Sequence, residues 1–465
     1  MNILDKDTQN LEFRQYRIFN KNNDIYLFMI ENSSFFKIDK RLLEFLKQEG
    51  NTIDIAYKNI SHLFTEEEFY TLIENMKNKN FIKTSNNREK EDTSLRDYKP
   101  EISSVTLMIA QDCNLRCTYC YGDCGEYFDK GKMSVETALS SIDYLVKNSG
   151  RHKTLVVCFL GGEPLMNLPV VKAVVSYCKE KYEDKTFKFT MTTNGTILNA
   201  DIKKFIKDND ISLQISLDGD KKAHDTNRIY ANNTGSYDKI VKNTKDMRED
   251  KYLTARATVT KTNLDMVSIF EHLENLNFRN VAISPAQNLL EDSDYPKLIE
   301  ESTKLLNFFA KLIKDKDFEK ASKMHMAWNE LGKLHFETKR NFACGAAWNM
   351  QAIDINGDVY PCHRYVSLKN YSLGNIEDIE VDTKWFLDEI KLSNHKKCSN
   401  CFAKNLCVGA CTHENYIETQ NTVIANEEHC KYIRNFFEKL IDIYLSLDEQ
   451  DKIKIFGEKR KNVEV

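Results

Sequence analysis

The sequence predicts an α/β protein: a partial, six-unit (β/α) barrel between a small β-rich N-terminal domain and a cysteine-rich, loop-rich C-terminal domain. Three observations carry this. From Val105 to Ala286, six apolar runs alternate with longer helical stretches, the pattern of a parallel sheet or barrel with sites at the C-terminal ends of its strands. A polar, charged stretch, NREKEDTSLRDYKPEI, separates this region from the first 86 residues. Ten of the 13 cysteines fall into two spaced groups, one after the first barrel strand and one beyond residue 344.

The elements follow in chain order. FRQYRIFN and DIYLFMI are β-like runs separated by Asn22-Asn23, a hairpin turn, and SSFFKID is a third run. A helix is expected from Lys40 to Lys47. Another starts at Thr65, with Glu68 three residues on in a capping-box pattern. KNKNFIKT could close as a short wing. Residues 1–86 thus form one domain and 87–102 a linker. In 103–300 the strands are VTLMIA, TLVVCFLGG, FKFTMTTNG, ISLQISLDG, ARATVT and VAISPA, with helices such as VETALSSIDYLVK and PVVKAVVSYCKEKY between them. Residues 301–343 form a helical bridge. Residues 344–465 are the cysteine-rich domain, closing in a helix around 428–447 and a frayed tail, EKRKNVEV.

The 465 residues suffice for two or three domains, and 41% hydrophobic with 29% charged residues fits a globular protein. A net charge of −4 gives no reason to expect nucleic acid as a partner. MNILDKDTQNLEF lacks a basic segment followed by an apolar run, and no apolar run reaches membrane-spanning length, so neither secretion nor membrane insertion is expected and a cytoplasmic location follows. There, spaced cysteines read as metal ligands rather than disulfides.

The first group lies in MIAQDCNLRCTYCYGDCGEY, where Cys113, Cys117 and Cys120 have the spacing C-x3-C-x2-C with Tyr119 before the last. Three thiolates on a four-iron cubane leave one iron open to a small molecule. A structural zinc knuckle is the alternative reading of such a loop. This motif after a first barrel strand resembles the radical S-adenosylmethionine (radical SAM) superfamily. The resemblance implies a TIM-like partial barrel and a [4Fe–4S] cluster whose open iron is chelated by the methionine moiety of S-adenosylmethionine. Electron transfer then gives a 5′-deoxyadenosyl radical that abstracts a substrate hydrogen. Cys124 reads as a bystander, and Cys158 and Cys178 as core thiols.

Gly161-Gly162-Glu163-Pro164 follows the second barrel strand. The glycines allow close backbone approach to a ligand, and Glu163 can accept from an ammonium group. This is similar to the family's GGEP motif. Asn194 and Ser216 end the next two strands, where relatives contact the cofactor, although both could be ordinary turn residues. Arg228, in HDTNR, is placed in the following loop with His224. It could pair with a carboxylate or simply face solvent.

In the second group Cys344 and Cys362 flank AIDINGDVYPC, a hairpin turning at Asn356-Gly357 that would bring them together. Then come Cys398, Cys401, Cys407, Cys411 and Cys430. Without the upstream motif these could equally be two zinc sites. With it, they resemble the SPASM auxiliary-cluster domain of radical enzymes that mature peptides. That resemblance implies that Cys344, Cys362 and Cys411 hold one auxiliary cluster and Cys398, Cys401, Cys407 and Cys430 the other, three [4Fe–4S] clusters in all. GAAWNM offers no fourth cysteine to the first set, which implies an open iron there unless Cys124, Cys158, Cys178 or another side chain fills it.

The N-terminal domain resembles the winged-helix-like element of peptide maturases that binds a leader peptide by strand addition. Residues 1–90 carry 14 Lys+Arg and 14 Asp+Glu, neutral where a DNA-reading domain would be basic. The resemblances together cover nearly the whole chain. They imply a maturase that forms thioether crosslinks, cysteine sulfur to carbon, in a ribosomally made precursor peptide bearing a leader and core cysteines. A flavodoxin or ferredoxin would serve as reductant. Carbon–carbon or carbon–oxygen crosslinking, or sulfatase-maturase-like oxidation of a protein Cys or Ser, would use the same clusters. A non-catalytic electron-transfer or regulatory protein is the alternative of another class.

Overall fold

A computed structural model describes residues 10–83, 100–338, 340–366, 368–378 and 381–458. Most of the expected linker and the tail beyond residue 458 lie outside the described residues.

The N-terminal unit is a three-stranded antiparallel sheet, β1 (Tyr16–Lys21), β2 (Asp24–Met29) and β3 (Ser34–Ile38), with three helices, α1 (Lys40–Leu46), α2 (Ile53–Ile60) and α3 (Glu66–Asn78). Asn22 and Asn23 both take positive φ, 54° and 66°, as a two-residue hairpin turn demands. The Thr65–Glu68 capping box closes at the start of α3: the Glu68 N–H donates to Thr65 Oγ1 at 3.3 Å, and the Thr65 N–H donates to Glu68 Oε2 at 2.9 Å. Two expectations change. The α2 segment was not foreseen as a helix, and KNKN ends α3 instead of opening a wing. Ile82 then returns as a single bridge to Phe13.

The period of two along β2 divides its side chains between two cores. Leu27 and Met29 pack on the domain's own helices, whereas Phe28 and Ile30 join the core of the rest of the molecule.

The barrel begins at β4 (Ser104–Gln111), with the short β5 (Gly131–Lys132) antiparallel to its end. There follow α4 (Val135–Lys147), β6 (Thr154–Gly161), α5 (Leu168–Lys181), β7 (Thr186–Thr193), α6 (Ala200–Asp208), β8 (Ser212–Ser216), α7 (Lys221–Asn227), α8 (Tyr237–Glu249), β9 (Thr254–Val259), α9 (Met266–Asn275) and β10 (Asn280–Pro285). The six long strands are parallel in the order β10-β9-β8-β7-β6-β4, an open α/β barrel with every strand tip at one end. The bridge consists of α10 (Tyr295–Lys314), α11 (Phe318–Lys323) and α12 (His325–His335).

The cysteine-rich region does not stand apart from the barrel. Its hairpin, β11 (Met350–Ile353) and β12 (Asp358–Tyr360), runs on to β13 (Gly374–Asn375), and β11 pairs in parallel with β4. The helices α13 (Lys384–Glu389), α14 (Lys404–Cys407), α15 (Thr412–Thr419), α16 (Glu427–Ser446) and α17 (Glu449–Phe456) complete it; α17 was not expected. The N-terminal sheet docks on this region through Arg17–Glu438 at 2.6 Å, Lys21–Asp442 at 2.7 Å, and Asn405 Nδ2 donating to the Ile30 carbonyl at 2.7 Å. Among the described residues no helix is long and apolar enough to cross a membrane.

Phe28 is fully buried, 4.7 Å from the Phe35 ring, which in turn lies 5.5 Å from Tyr444 of α16. Phe28→Ala is therefore expected to cost about 3–5 kcal/mol in denaturant unfolding. A loss under about 1 kcal/mol would show that this face of β2 does not support the docking.

Candidate functional site

The first site is built where the tips of β4 and β6 run side by side in parallel pairing. The Gly162 N–H donates to the Ala110 carbonyl at 2.7 Å and the Glu163 N–H to the Asp112 carbonyl at 2.9 Å. A side chain at Gly161, whose φ is 137°, would meet the Ala110 oxygen at 2.2 Å, and one at Gly162 would meet the Asp112 oxygen at 2.3 Å. Gly125 folds back on the same point, where a Cβ would lie 2.7 Å from Cys113 Cβ and from Gly162 Cα. The glycine pair was expected to let the backbone approach a ligand. In the structure it lets β6 approach the cysteine loop itself.

Glu163 is fully buried, and its carboxylate gathers three donors. Oε1 accepts from Thr193 Oγ1 at 2.6 Å and the Leu165 N–H at 3.1 Å, and Oε2 from the Asn194 N–H at 2.8 Å. Burial nevertheless pushes its pKa up from 4.5 to about 7. Asn194 Nδ2 donates to Asn114 Oδ1 at 2.9 Å and points at Cys113 Sγ, 3.9 Å away. Asn114 in turn donates to Thr196 Oγ1 at 2.8 Å. The β7 tip is thus tied to the cysteine loop.

On the other side, Asp218 just beyond β8 organises the site. Its Oδ2 accepts from Tyr119 Oη at 2.6 Å and Arg228 Nε at 3.0 Å, and its Oδ1 from the Thr258 N–H at 2.9 Å. Arg228 Nη1 lies 3.9 Å from Cys117 Sγ, and its guanidinium sits 5.1 Å from the Tyr119 ring centre. Arg228 does not face solvent: α7 covers the HDTN segment, and Arg228, the C-cap residue that follows it, is buried. His224 Nδ1 accepts from the Asp218 N–H at 3.2 Å, which leaves the ring proton on Nε2, 2.9 Å from Ser236 Oγ. Burial lowers the His224 pKa to about 4 and keeps the ring neutral. Ser216, also buried, ends β8 beside Arg256 of β9.

Cys113, Cys117 and Cys120 lie close enough to raise one another's pKa. Burial is the larger effect and pushes the Cys113 thiol up to about 12. Beyond β12, Cys362, Cys344 and Cys411 form a second such set, with burial pushing Cys362 up to about 12. Cys398, Cys401, Cys407 and Cys430 form a third, with Cys407 pushed up to about 12 and Cys398 to about 11, again mainly by burial. The other cysteines lie elsewhere: Cys124 beside Cys120, Cys158 hydrogen-bonded to Thr190 and Thr106, and Cys178 buried near Asp143. Buried, mutually repelling thiols are the donor set that a cationic iron–sulfur cluster fits, since metal charge is what ionises them.

Asp218, Asn114, Thr193, Thr196 and Arg256 were not singled out from sequence. Asp218 and Thr193 were visible in the strand-tip motifs. Asn114 gave no signal because its partners, Asn194 and Thr196, lie at the tip of another strand, and Arg256 gave none because only the barrel brings it near Arg228 and Arg364.

Residues 107–273 match the radical SAM superfamily, and residues 344–402 match the SPASM iron–sulfur cluster-binding domain. A cysteine-type anaerobic sulfatase-maturating enzyme of Clostridium novyi is 29% identical over 371 residues, covering 73% of this chain and 96% of the relative. The radical SAM cyclopropyl synthase TigE of Paramaledivibacter caminithermalis is 20% identical over 430 residues, covering 86% of this chain and 88% of the relative. The solved structure of anSMEcpe with bound AdoMet shares the fold at a TM-score of 0.61 and 20% identity, covering 75% of this chain and 99% of that one. Streptococcus suis SuiB bound to its precursor peptide SuiA does so at 0.50 and 15% identity, covering 89% and 98%. The chain carries a radical SAM domain and a SPASM domain, and it is an enzyme of that kind.

The Glu163 carboxyl is neutral in the folded state below its raised pKa and must ionise while buried above it. Relative to Glu163→Gln, the metal-free wild-type protein is therefore expected to lose about 3 kcal/mol as pH rises from 4.5 to about 7, levelling off above. Urea unfolding of the two proteins across that range checks this, and parallel pH profiles would refute it.

Proposed function

We propose that this radical SAM and SPASM enzyme is a maturase that joins a cysteine sulfur to a carbon of a ribosomally made precursor peptide. In this reading Cys113, Cys117 and Cys120 hold a [4Fe–4S] cluster beside S-adenosylmethionine. Together these supply, when bound, a 5′-deoxyadenosyl radical that removes a hydrogen atom from the substrate. Glu163, its oxygens already fixed by three donors, accepts from the methionyl ammonium. Asn194 and Ser216 serve the polar edge of the cofactor, and Arg228, locked by Asp218, faces its carboxylate. Tyr119, Gly161 and Gly162 shape the same pocket. Cys344, Cys362 and Cys411 hold one auxiliary cluster and Cys398, Cys401, Cys407 and Cys430 another, three clusters in all.

The observation that carries the thioether reading is the three-thiol set and its position. Tyr121 lies between the first two sets, its pKa pushed up to about 12 by burial and, more weakly, by both Cys120 and Cys362. A cluster held there by Cys344, Cys362 and Cys411 alone would have one iron without a protein thiolate, which could take a substrate thiolate. Leader binding is supported by a groove of about 740 Å3 lined by Ile38 of β3 and Leu72 of α3, with Leu42 and Phe64 between. Among the described residues no strand pairs with the outer edge of β3, which could accept one there, since β2 pairs with its other side. The likeness to SuiB, a protein seen with its precursor peptide, spans 89% of this chain.

Oxidation of a protein Cys or Ser is the second reading. The Clostridium novyi sulfatase-maturating enzyme favours it, although that match leaves 27% of this chain (100 − 73) without a counterpart.

The test is anaerobic incubation of the cluster-loaded enzyme, reductant and S-adenosylmethionine with a short cysteine-bearing peptide encoded beside its gene, read by mass spectrometry. Loss of a pair of hydrogens per crosslink, with cysteines resistant to alkylation, is expected. The same loss with free cysteines would move the bond to carbon or oxygen, and a modified sulfatase peptide would favour the second reading. Cys117→Ala should abolish 5′-deoxyadenosine formation. Cys411→Ala should still form it while losing the crosslinked product.

A further inference from the structure

Three arginines converge between the first two cysteine sets, and two of them have their own acids. Arg228 is paired with Asp218 at 3.0 Å and Arg364 with Glu414. The third, Arg256, has no ion pair or hydrogen bond among the described residues, although Arg228 and Arg364 both repel its charge. On β9 its neighbours Ala255 and Ala257 are buried in the outer core, so the strand's alternation turns Arg256 into the barrel, where it keeps accessible surface. There it lies among Tyr119 and Arg228 on one side and Tyr121 and Arg364 on the other. Arg256 keeps exposed surface there while two like charges face it and no carboxylate among the described residues answers it, so an arriving anion would be favoured at this point. A cavity of about 520 Å3 starts at Arg256 and runs past Ser284 and His325 to Asn329, Phe336 and Phe456, along the open β10 edge and α12. This is the volume of an organic ligand site, not of a lone ion.

We propose that this cavity receives the peptide substrate and that Arg256, at its inner end, binds a carboxylate side chain of that peptide. The guanidinium fork matches a carboxylate bidentately, which would fix one residue of the substrate beside the reacting centre. This rests on the maturase reading and adds to it a substrate class: peptides with Asp or Glu near the modified position. The methionyl carboxylate of S-adenosylmethionine is the other source of the same chemistry. In the proposed arrangement Arg228 already faces it.

The experiment is calorimetric titration of the unreduced, cluster-loaded enzyme, saturated with S-adenosylmethionine, with the α-methylamides of N-acetyl-L-aspartate and N-acetyl-L-asparagine, which differ only in the side-chain carboxylate. The wild type is expected to prefer the aspartate probe by about tenfold. Arg256→Gln should reduce that preference to below about twofold, and Arg256→Lys, which keeps the charge, should retain part of it. No preference in the wild type, or a preference surviving in Arg256→Gln, would overturn the assignment. So would an approximately tenfold loss of S-adenosylmethionine affinity in Arg256→Gln, which would give Arg256 to the methionyl carboxylate. The titration needs no turnover, so a failed maturation assay would leave its result readable.

Discussion

The close parallel pairing of β4 and β6 at their tips, past a register shift, is the constraint on which the rest of the site depends. Two amide hydrogen bonds, from Gly162 and Glu163 to Ala110 and Asp112, lay the second strand's exit directly against the start of the cysteine loop. The approach is too close for any Cβ at Gly161, Gly162 or Gly125. Once made, it fixes two things together: the path of the chain through Cys113, and the direction in which Glu163 points. Glu163 then carries the constraint to β7 through Thr193 and Asn194, so three strand tips share one geometry.

A second consequence is electrostatic. The barrel mouth is crowded with groups whose charged forms burial disfavours: the thiols, Glu163 and the neutral His224. Arginines compensate locally. Arg228 sits between Asp218 and Cys117, and Arg364 between Glu414 and the Cys362–Cys411 set. Burial raises the thiols of all three sets, so a metal cluster bound there would supply the positive charge that ionises them. Arg256 departs from this pattern of local pairing, and its cavity leads away from the cofactor side.

The docking of the N-terminal sheet joins the proposed leader-binding unit to the loop of the third cysteine set. Lys404 donates to Gln15 Oε1 at 2.7 Å, Asn405 to the Ile30 carbonyl, and the Arg17 guanidinium lies 4.2 Å from the Phe402 ring centre. The groove beside β3 and the Cys398–Cys407 segment therefore belong to one packed body, since Phe28 and Ile30 share the core of the barrel and SPASM regions.

Local pattern carried a great deal of this. Six parallel strands, the Asn22-Asn23 turn, the Thr65 capping box and the hairpin at Asn356-Gly357 each depend on residues within a few positions of one another, and all are present. The cysteine spacings and GGEP belong to the same class of signal. What sequence alone could not decide involves partners distant along the chain. The pairing of β11 with β4 merges two regions read as separate domains. Arg228 is buried because Asp218 and Tyr119 meet it across the barrel mouth. The Gly161-Gly162 pair serves the close parallel pairing of β4 and β6, and Arg256 has no carboxylate partner among the described residues. The sequence by itself determined the kind of chemistry, because cluster and cofactor motifs are short and local. Only the tertiary structure decided which charges are paired, because that depends on side chains that meet only when separate strands close into a barrel.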